Sequence, residues 1–435
     1  MLADDLERET TEVLARLVQF NTVNPPGNER PAAEYLAGYL EQAGFEVELL
    51  AADPRRPSLV ADLRGSGGGS TLCYMGHLDT VLADPSEWTH DPWSGAVADG
   101  FLWGRGALDM KSQVAAEAVA GAVLARDGWR PAGQLKLAFL ADEETGGELG
   151  GQWITANHPD RVRCDMLLNE GGGTSFELDG RRRYGVCCGE KGVFRFTLTA
   201  RGRAGHASIP RTGENALLKL APALERMASA GPSFQLTEAA AEMLRRIGGD
   251  EADPSRVLER IAAAEPALGV VLEPMLGVTL TPTMVHASDK INVIPSRAQI
   301  KVDCRVPPGL GREAAEERIA EVLGDVAPSL ELEFTEEVVG NQSPTRSPLM
   351  DAIEGWLEAA DPGCEAIPVL LPGFSDSRWW RAAFPACVAY GFFPQRHQTL
   401  LESAPLIHSA DERIDVRDLG FATRFYADLA RELLG

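Results

Sequence analysis

The apolar run Leu72-Cys73-Tyr74-Met75 passes directly into Gly76-His77-Leu78-Asp79-Thr80. A run of this length reads as a buried strand, and the two-residue period of a strand puts His77 and Asp79 on one face. Polar residues at the end of a buried strand point to an open α/β sheet, which places its ligands in the crevice beyond the strand ends. A His in that crevice can bind a metal while an Asp fixes its ring. An isolated His-x-Asp is more often a capping Asp beside a half-buried His, so the pair needs support from the rest of the chain.

Two more apolar runs supply it. Gln134 to Ala141 is a buried strand that ends in Asp142-Glu143-Glu144-Thr145-Gly146, and Asp165 to Asn169 ends in Glu170-Gly171. Adjacent carboxylates after a buried strand are costly unless a positive charge lies near them. A fourth segment, Trp103-Gly104-Arg105-Gly106-Ala107-Leu108-Asp109-Met110-Lys111, follows a long loop rich in Trp, Pro, Asp and Gly and precedes a helix from Ser112 to Arg126. Taken singly, Asp109 reads equally as a favourable charge at a helix start. Its glycines do not make a dinucleotide fingerprint, because no strand directly precedes them and the third glycine is absent. That argues against a dehydrogenase.

The net charge of -23 argues against nucleic-acid or anionic-membrane binding. No segment has the length and apolarity of a membrane span, and the first residues lack the basic start and apolar core of a signal peptide. Seven cysteines, odd in number and scattered through apolar runs, read as reduced core residues of a cytoplasmic protein. Of the seven histidines, His90, His158, His286 and His397 match no motif.

The pattern of elements expects two domains. Helices are expected at 4–19 and 29–43 and strands at 45–50 and 58–63, ahead of the His77 run. From Cys188 the style changes. Val193 to Thr199 alternates strictly, which predicts a half-exposed antiparallel strand. A helix from 214 to 228, strands at 278–286, 299–306 and 330–338, and a helix near 311–323 fit a small two-layer α/β unit. Residues 231–276 are Ala-, Glu- and Pro-rich, mostly helical and without a site signature. After Asn341 the α/β style returns, ending in a helix from Val416 to Leu434. The expected division is 1–187, an insertion at 188–340, and 341–435.

The whole pattern resembles the M20 metallopeptidase family of carboxypeptidases, aminoacylases, acetylornithine deacetylases and succinyl-diaminopimelate desuccinylases. The resemblance covers nearly the whole chain. It rests on Gly76-His77-Leu78-Asp79-Thr80-Val81, Gly104 to Lys111, Asp142 to Gly146, Asn169-Glu170-Gly171, Gly205-His206-Ala207-Ser208 and the late His408. It implies a mixed-sheet, three-layer α/β catalytic domain holding two zinc ions, with the two-layer insertion acting as a lid and dimerisation domain. Asp109 would bridge the metals, His77 and Glu170 would bind one, and Glu144 and His408 the other. Cobalt or manganese also satisfies such N/O sites. Glu143 would be the general base, Asp79 would orient His77, and a cis peptide would follow Asp109.

The implied reaction is hydrolysis of an amide bond in an N-acyl amino acid or short peptide, beside a carboxylate. His206, in the insertion, would donate to the oxyanion, across a homodimer interface in dimeric relatives. Asn292, Arg305 and Arg378 resemble the family's carboxylate-binding segments, and Arg suits that task through its planar fork. Two alternatives keep the chemistry, an acetylornithine deacetylase and a succinyl-diaminopimelate desuccinylase. A third is a non-catalytic relative that binds amino acids or metal, which the presence of Glu143 and every expected ligand disfavours.

Overall fold

The computed structural model describes residues 3–249 and 251–435 and divides into two compact units. The first comprises residues 1–188, 343–369 and 375–435; the second comprises 189–342 and 370–374.

The first unit is built on a nine-stranded mixed sheet. Its order is Glu46–Leu50, Ser58–Arg64, Gln134–Leu140, Thr71–His77, Met166–Asn169, Val388–Gly391, Arg181–Glu190 and Glu365–Leu371, with Ser175–Leu178 added to Arg181–Glu190. The four strands from Gln134–Leu140 to Val388–Gly391 are mutually parallel. His77 pairs with Leu140, and Tyr74 with Leu168. Three of these strands therefore deliver the residues that follow them to one edge of the sheet.

The period of two decides what covers each face. Cys73 and Met75 pack with Ile154, Trp380 and Phe384. Tyr74 points the other way, where its hydroxyl donates to the Tyr426 carbonyl at 2.6 Å. Tyr426 lies on the terminal helix Val416–Leu434, which packs with helices Ala3–Val18 and Lys111–Arg126. Helices thus cover both faces, a three-layer α/β arrangement. Helix Lys111–Arg126 is buried from Lys111 to Ala125 because small side chains let it lie close to the sheet. At Gly121 a β-carbon would meet the Phe45 ring at 3.0 Å. Helix Arg30–Ala43 starts with a proline in its first turn and stops at Gly44, whose φ of 103° lets its amide cap the helix carbonyls.

The second unit carries a five-stranded antiparallel sheet. Arg297–Val306 pairs with Phe196–Arg201 on one side and Thr279–His286 on the other. Helices Ala216–Ala228 and Arg312–Leu323 pack on it through Leu198, Leu220, Ile300 and Ile319. The 231–276 stretch forms helices Glu238–Gly248, Pro254–Ala264 and Pro266–Leu272.

Two local expectations change. Strand Phe196–Arg201 is buried on both faces up to Ala200, not half-exposed, because it lies between two neighbouring strands and Gln299 covers Thr199 with a 3.0 Å hydrogen bond. The strand expected over 330–338 is only Glu331–Phe334. Beyond it the chain turns, where Thr335 and Glu336 both donate their amides to the Arg195 carbonyl.

Candidate metal centre

The carboxyl ends of the parallel strands bring acids and histidines together. His77 ends its strand, and Glu143 and Glu144 form a 3-10 turn behind Asp142, whose φ is 74°. Glu170 follows Asn169 directly. Asp109 sits in the loop before helix Lys111–Arg126, and its peptide bond to Met110 is cis. Gly76 is required at the sheet end, since a β-carbon there would meet the Met110 and Val114 side chains at 2.8 Å.

The Asp109 carboxylate lies between two imidazoles. Its Oδ1 is 3.0 Å from His77 Nε2 and its Oδ2 is 3.0 Å from His408 Nε2. Glu144 Oε2 is 3.3 Å from the same His408 nitrogen, and Glu170 Oε1 is 3.9 Å from His77 Nε2. Ligand atoms of His77, Asp109 and Glu144 lie within 4.8 Å of one another, and so do those of His77, Glu143 and Glu170.

These charges perturb one another strongly. Burial and then the neighbouring Glu170 push the Glu143 pKa well up. Burial and Asp109 do the same to Glu170, and burial raises Glu144. Burial also opposes the charge on Asp109, but its hydrogen bonds to His408 and His77 win and hold it low. Hydrogen bonds to Asp109 and Glu144 push His408 up to about 10. Burial opposes the charge on His77, yet its bonds to Asp109 and Asp79 prevail and raise it well above its ordinary value. So many acids are stable together only with positive charge among them. Glu144 Oε1 is buried without a hydrogen-bond partner. An N/O donor set with an unsatisfied buried oxygen fits divalent cations.

Asp79 works on both sides of this cluster. His77 Nδ1 lies 3.0 Å from the Asp79 carbonyl oxygen and 3.5 Å from its carboxylate. The carboxylate makes shorter bonds elsewhere, accepting the amides of Glu143 and Glu144 at 3.1 Å each. It also accepts from Asn24 Nδ2 at 2.8 Å, and Asn24 contacts Asp142 as well. Arg56 joins this layer by pairing with Glu29 and Asp142, both buried. Sequence reasoning missed Asn24 and Arg56. Asn24 was legible only as the start of a Pro-Pro-Gly break, and Arg56 stands in a turn with no motif.

Arg378 lies in the first turn of the helix Ser377–Ala383 and donates to the Gly146 carbonyl at 2.7 Å, just beyond Glu143 and Glu144. The remaining candidates belong to the second unit. His206 is exposed on the short strand Gly205–His206, with Nδ1 2.7 Å from Ser208 Oγ. Asn292 is exposed, and its carbonyl accepts the Ala207 amide. Arg305 pairs with Asp303 at 2.6 Å, and its guanidinium lies 6.0 Å from the Phe374 ring centroid.

Residues 73–432 match the model of peptidase family M20/M25/M40. A succinyl-diaminopimelate desuccinylase from Paracoccus denitrificans (strain Pd 1222) is 27% identical over 432 residues, 96% of each chain. Desuccinylase 2 of Ruegeria sp. (strain TM1040) is 33% identical over 222 residues, covering 50% of this chain and 53% of that protein. The fold is that of an M20 family metallo-carboxypeptidase from Sulfolobus solfataricus, which superposes with a TM-score of 0.73 at 18% identity and covers 97% of this chain and 98% of its own. With a family match over most of its length, the chain is a member of peptidase family M20/M25/M40.

Proposed function

We propose that this hydrolase cleaves an amide bond beside a carboxylate, in an N-acyl amino acid or short peptide, at a site holding two zinc ions. The observation that carries the reading is the Asp109 carboxylate, with one oxygen 3.0 Å from His77 and the other 3.0 Å from His408. His77 and Glu170 would hold one ion and Glu144 and His408 the other, with Asp109 shared; cobalt or manganese would serve the same donors. Two such ions, when bound, lower the pKa of water and polarise an amide carbonyl.

The protein's own residues supply the proton traffic. Glu143, placed by the bond from its amide to Asp79, takes the proton of the attacking water and returns it to the leaving nitrogen. A base whose pKa is pushed up by burial holds that proton better than an ordinary carboxylate would. His206 donates to the oxyanion. Asn292, Arg305 and Arg378 receive the substrate carboxylate. We infer a homodimer through the second unit, in keeping with its edge strand Thr279–His286, which exposes Met284 and Val285. The cytoplasm is the proposed compartment, in keeping with the buried free thiols.

The similarity to a desuccinylase over 96% of both chains favours a second, narrower reading, hydrolysis of N-succinyl-diaminopimelate. The test is release of primary amine from metal-loaded protein given N-succinyl-diaminopimelate, N-acetylornithine, N-acyl amino acids and dipeptides, each beside its carboxamide analogue. Turnover that requires the free carboxylate supports the proposal. No turnover of any member with zinc, cobalt or manganese overturns it.

A further inference from the structure

Glu412 lies four residues beyond His408 and is fully buried. Its carboxylate accepts four hydrogen bonds, all from the loop that carries Asp109. Oε2 accepts from Arg105 Nη1 at 2.6 Å and from the Gly106 amide at 3.1 Å. Oε1 accepts from the Leu108 amide at 2.7 Å and the Asp109 amide at 3.0 Å. The Glu412 carbonyl takes a fifth bond, from the Gly104 amide at 2.9 Å. Immediately afterwards, Arg413–Asp415 pairs with Phe101–Trp103 in an antiparallel register. Arg105, the counter-charge, is itself buried and braced by the Leu82 carbonyl.

A buried carboxylate with this many charge-assisted bonds fixes its partners tightly. Here every partner belongs to the Asp109 loop, while the backbone of Glu412 leads straight back to His408. The side chain therefore ties two residues distant in sequence whose side chains meet at 3.0 Å. We propose that Glu412 is a positioning residue that holds the Asp109 carboxylate and the His408 imidazole at the spacing a two-ion site needs. This rests on the dinuclear reading above. A residue that braces ligands in this way typically changes metal affinity by about 10–100-fold when altered.

The test compares the parent with Glu412→Gln, which keeps the shape but turns an amide group toward N–H donors, and with Glu412→Asp, which keeps the charge but shortens the reach. Zinc dissociation constants are measured by chelator competition, the cobalt-loaded proteins by visible absorption, and the metal-free proteins by thermal melting. The expected result is a folded Glu412→Gln whose weaker zinc site loses tenfold or more in affinity, with a changed cobalt spectrum and a smaller loss in Glu412→Asp. Parental affinities for both ions and an unchanged spectrum would overturn the role of Glu412 alone. So would metal-free unfolding of both variants, which would make Glu412 a determinant of the fold. A parent that binds no pair of ions overturns the dinuclear reading, and this proposal with it.

Discussion

The two units use their sheets in opposite ways. In the first, the residues that bear chemistry touch one another, from buried His77 through the half-buried Asp109, Glu143, Glu144 and Glu170 to His408 at the exposed rim; in the second, His206 and Asn292 are exposed, and no comparable cluster occurs there among the described residues. The difference follows from strand direction. Parallel strands end at the same edge, so His77, Glu143, Glu144 and Glu170 arrive together from distant positions. Neighbouring antiparallel strands end at opposite edges, and the second unit's sheet is antiparallel. A clustered polyvalent site is thus a natural product of the first sheet, whereas the second is suited to presenting single side chains.

The largest effect should come from within the cluster. Glu143→Gln is expected to keep bound metal and to lose on the order of a thousandfold or more in kcat. Steady-state rates beside metal analysis check this, and near-normal turnover would remove Glu143 as the base. His206→Ala probes the other unit. Its loss in kcat should be about a hundredfold or more, with an unchanged melting temperature because the side chain is exposed. A large loss of stability would mean that the residue is structural and would erase the contrast between the units.

Lys191 sharpens the comparison from the second unit's interior. Its ammonium is buried and donates to the carbonyls of Pro274 and Gly277, and burial lowers its pKa from 10.5 to about 7. Between pH 7 and 10.5 the unfolded chain holds more protons than the folded one, so stability rises with pH in that window; below pH 7 the cost of the buried charge is fully present. Subtracting the pH–stability curve of Lys191→Met from that of the parent should reveal a rise of at most about 2 kcal/mol between pH 7 and 9. A flat difference would show that the carbonyls fully solvate the charge. The smallest effect is expected at Arg378→Lys. Replacing the fork beside Gly146 should raise KM by about tenfold with kcat little changed. An equal fall in kcat would place Arg378 in the reaction itself.

Much of the first unit was legible because its signals are local. Each apolar run stops close to the end of its strand, and the polar residues at or just past that end are the ones the sheet presents. Helix Arg30–Ala43 is likewise marked by its proline and by Gly44. The hairpin Ser175–Leu178 with Arg181–Glu190 was passed over, although Asp179-Gly180, with φ of 54° and 71°, is a strong turn signal. Three arginines at 181–183 disguise the start of that strand. The bracing of the cluster was not legible. Asn24, Arg56 and Glu412 act through contacts far away in sequence, and no spacing rule records which amide a buried carboxylate will accept. Thr197 and Thr199 misled for a related reason, since alternation reveals polarity but not whether a neighbouring side chain covers it.

The central claim is that the clustered acids and histidines exist to share two cations through Asp109. The most direct measurement is the number of zinc ions bound per chain after chelation and retitration, in the parent and in Asp109→Asn, with amide hydrolysis followed in the same samples. The expected result is two ions in the parent, hydrolysis that vanishes on chelation and returns with zinc, and loss of at least one ion in the variant. Full hydrolysis by the metal-free parent, or two ions held as tightly without the Asp109 carboxylate, would contradict it.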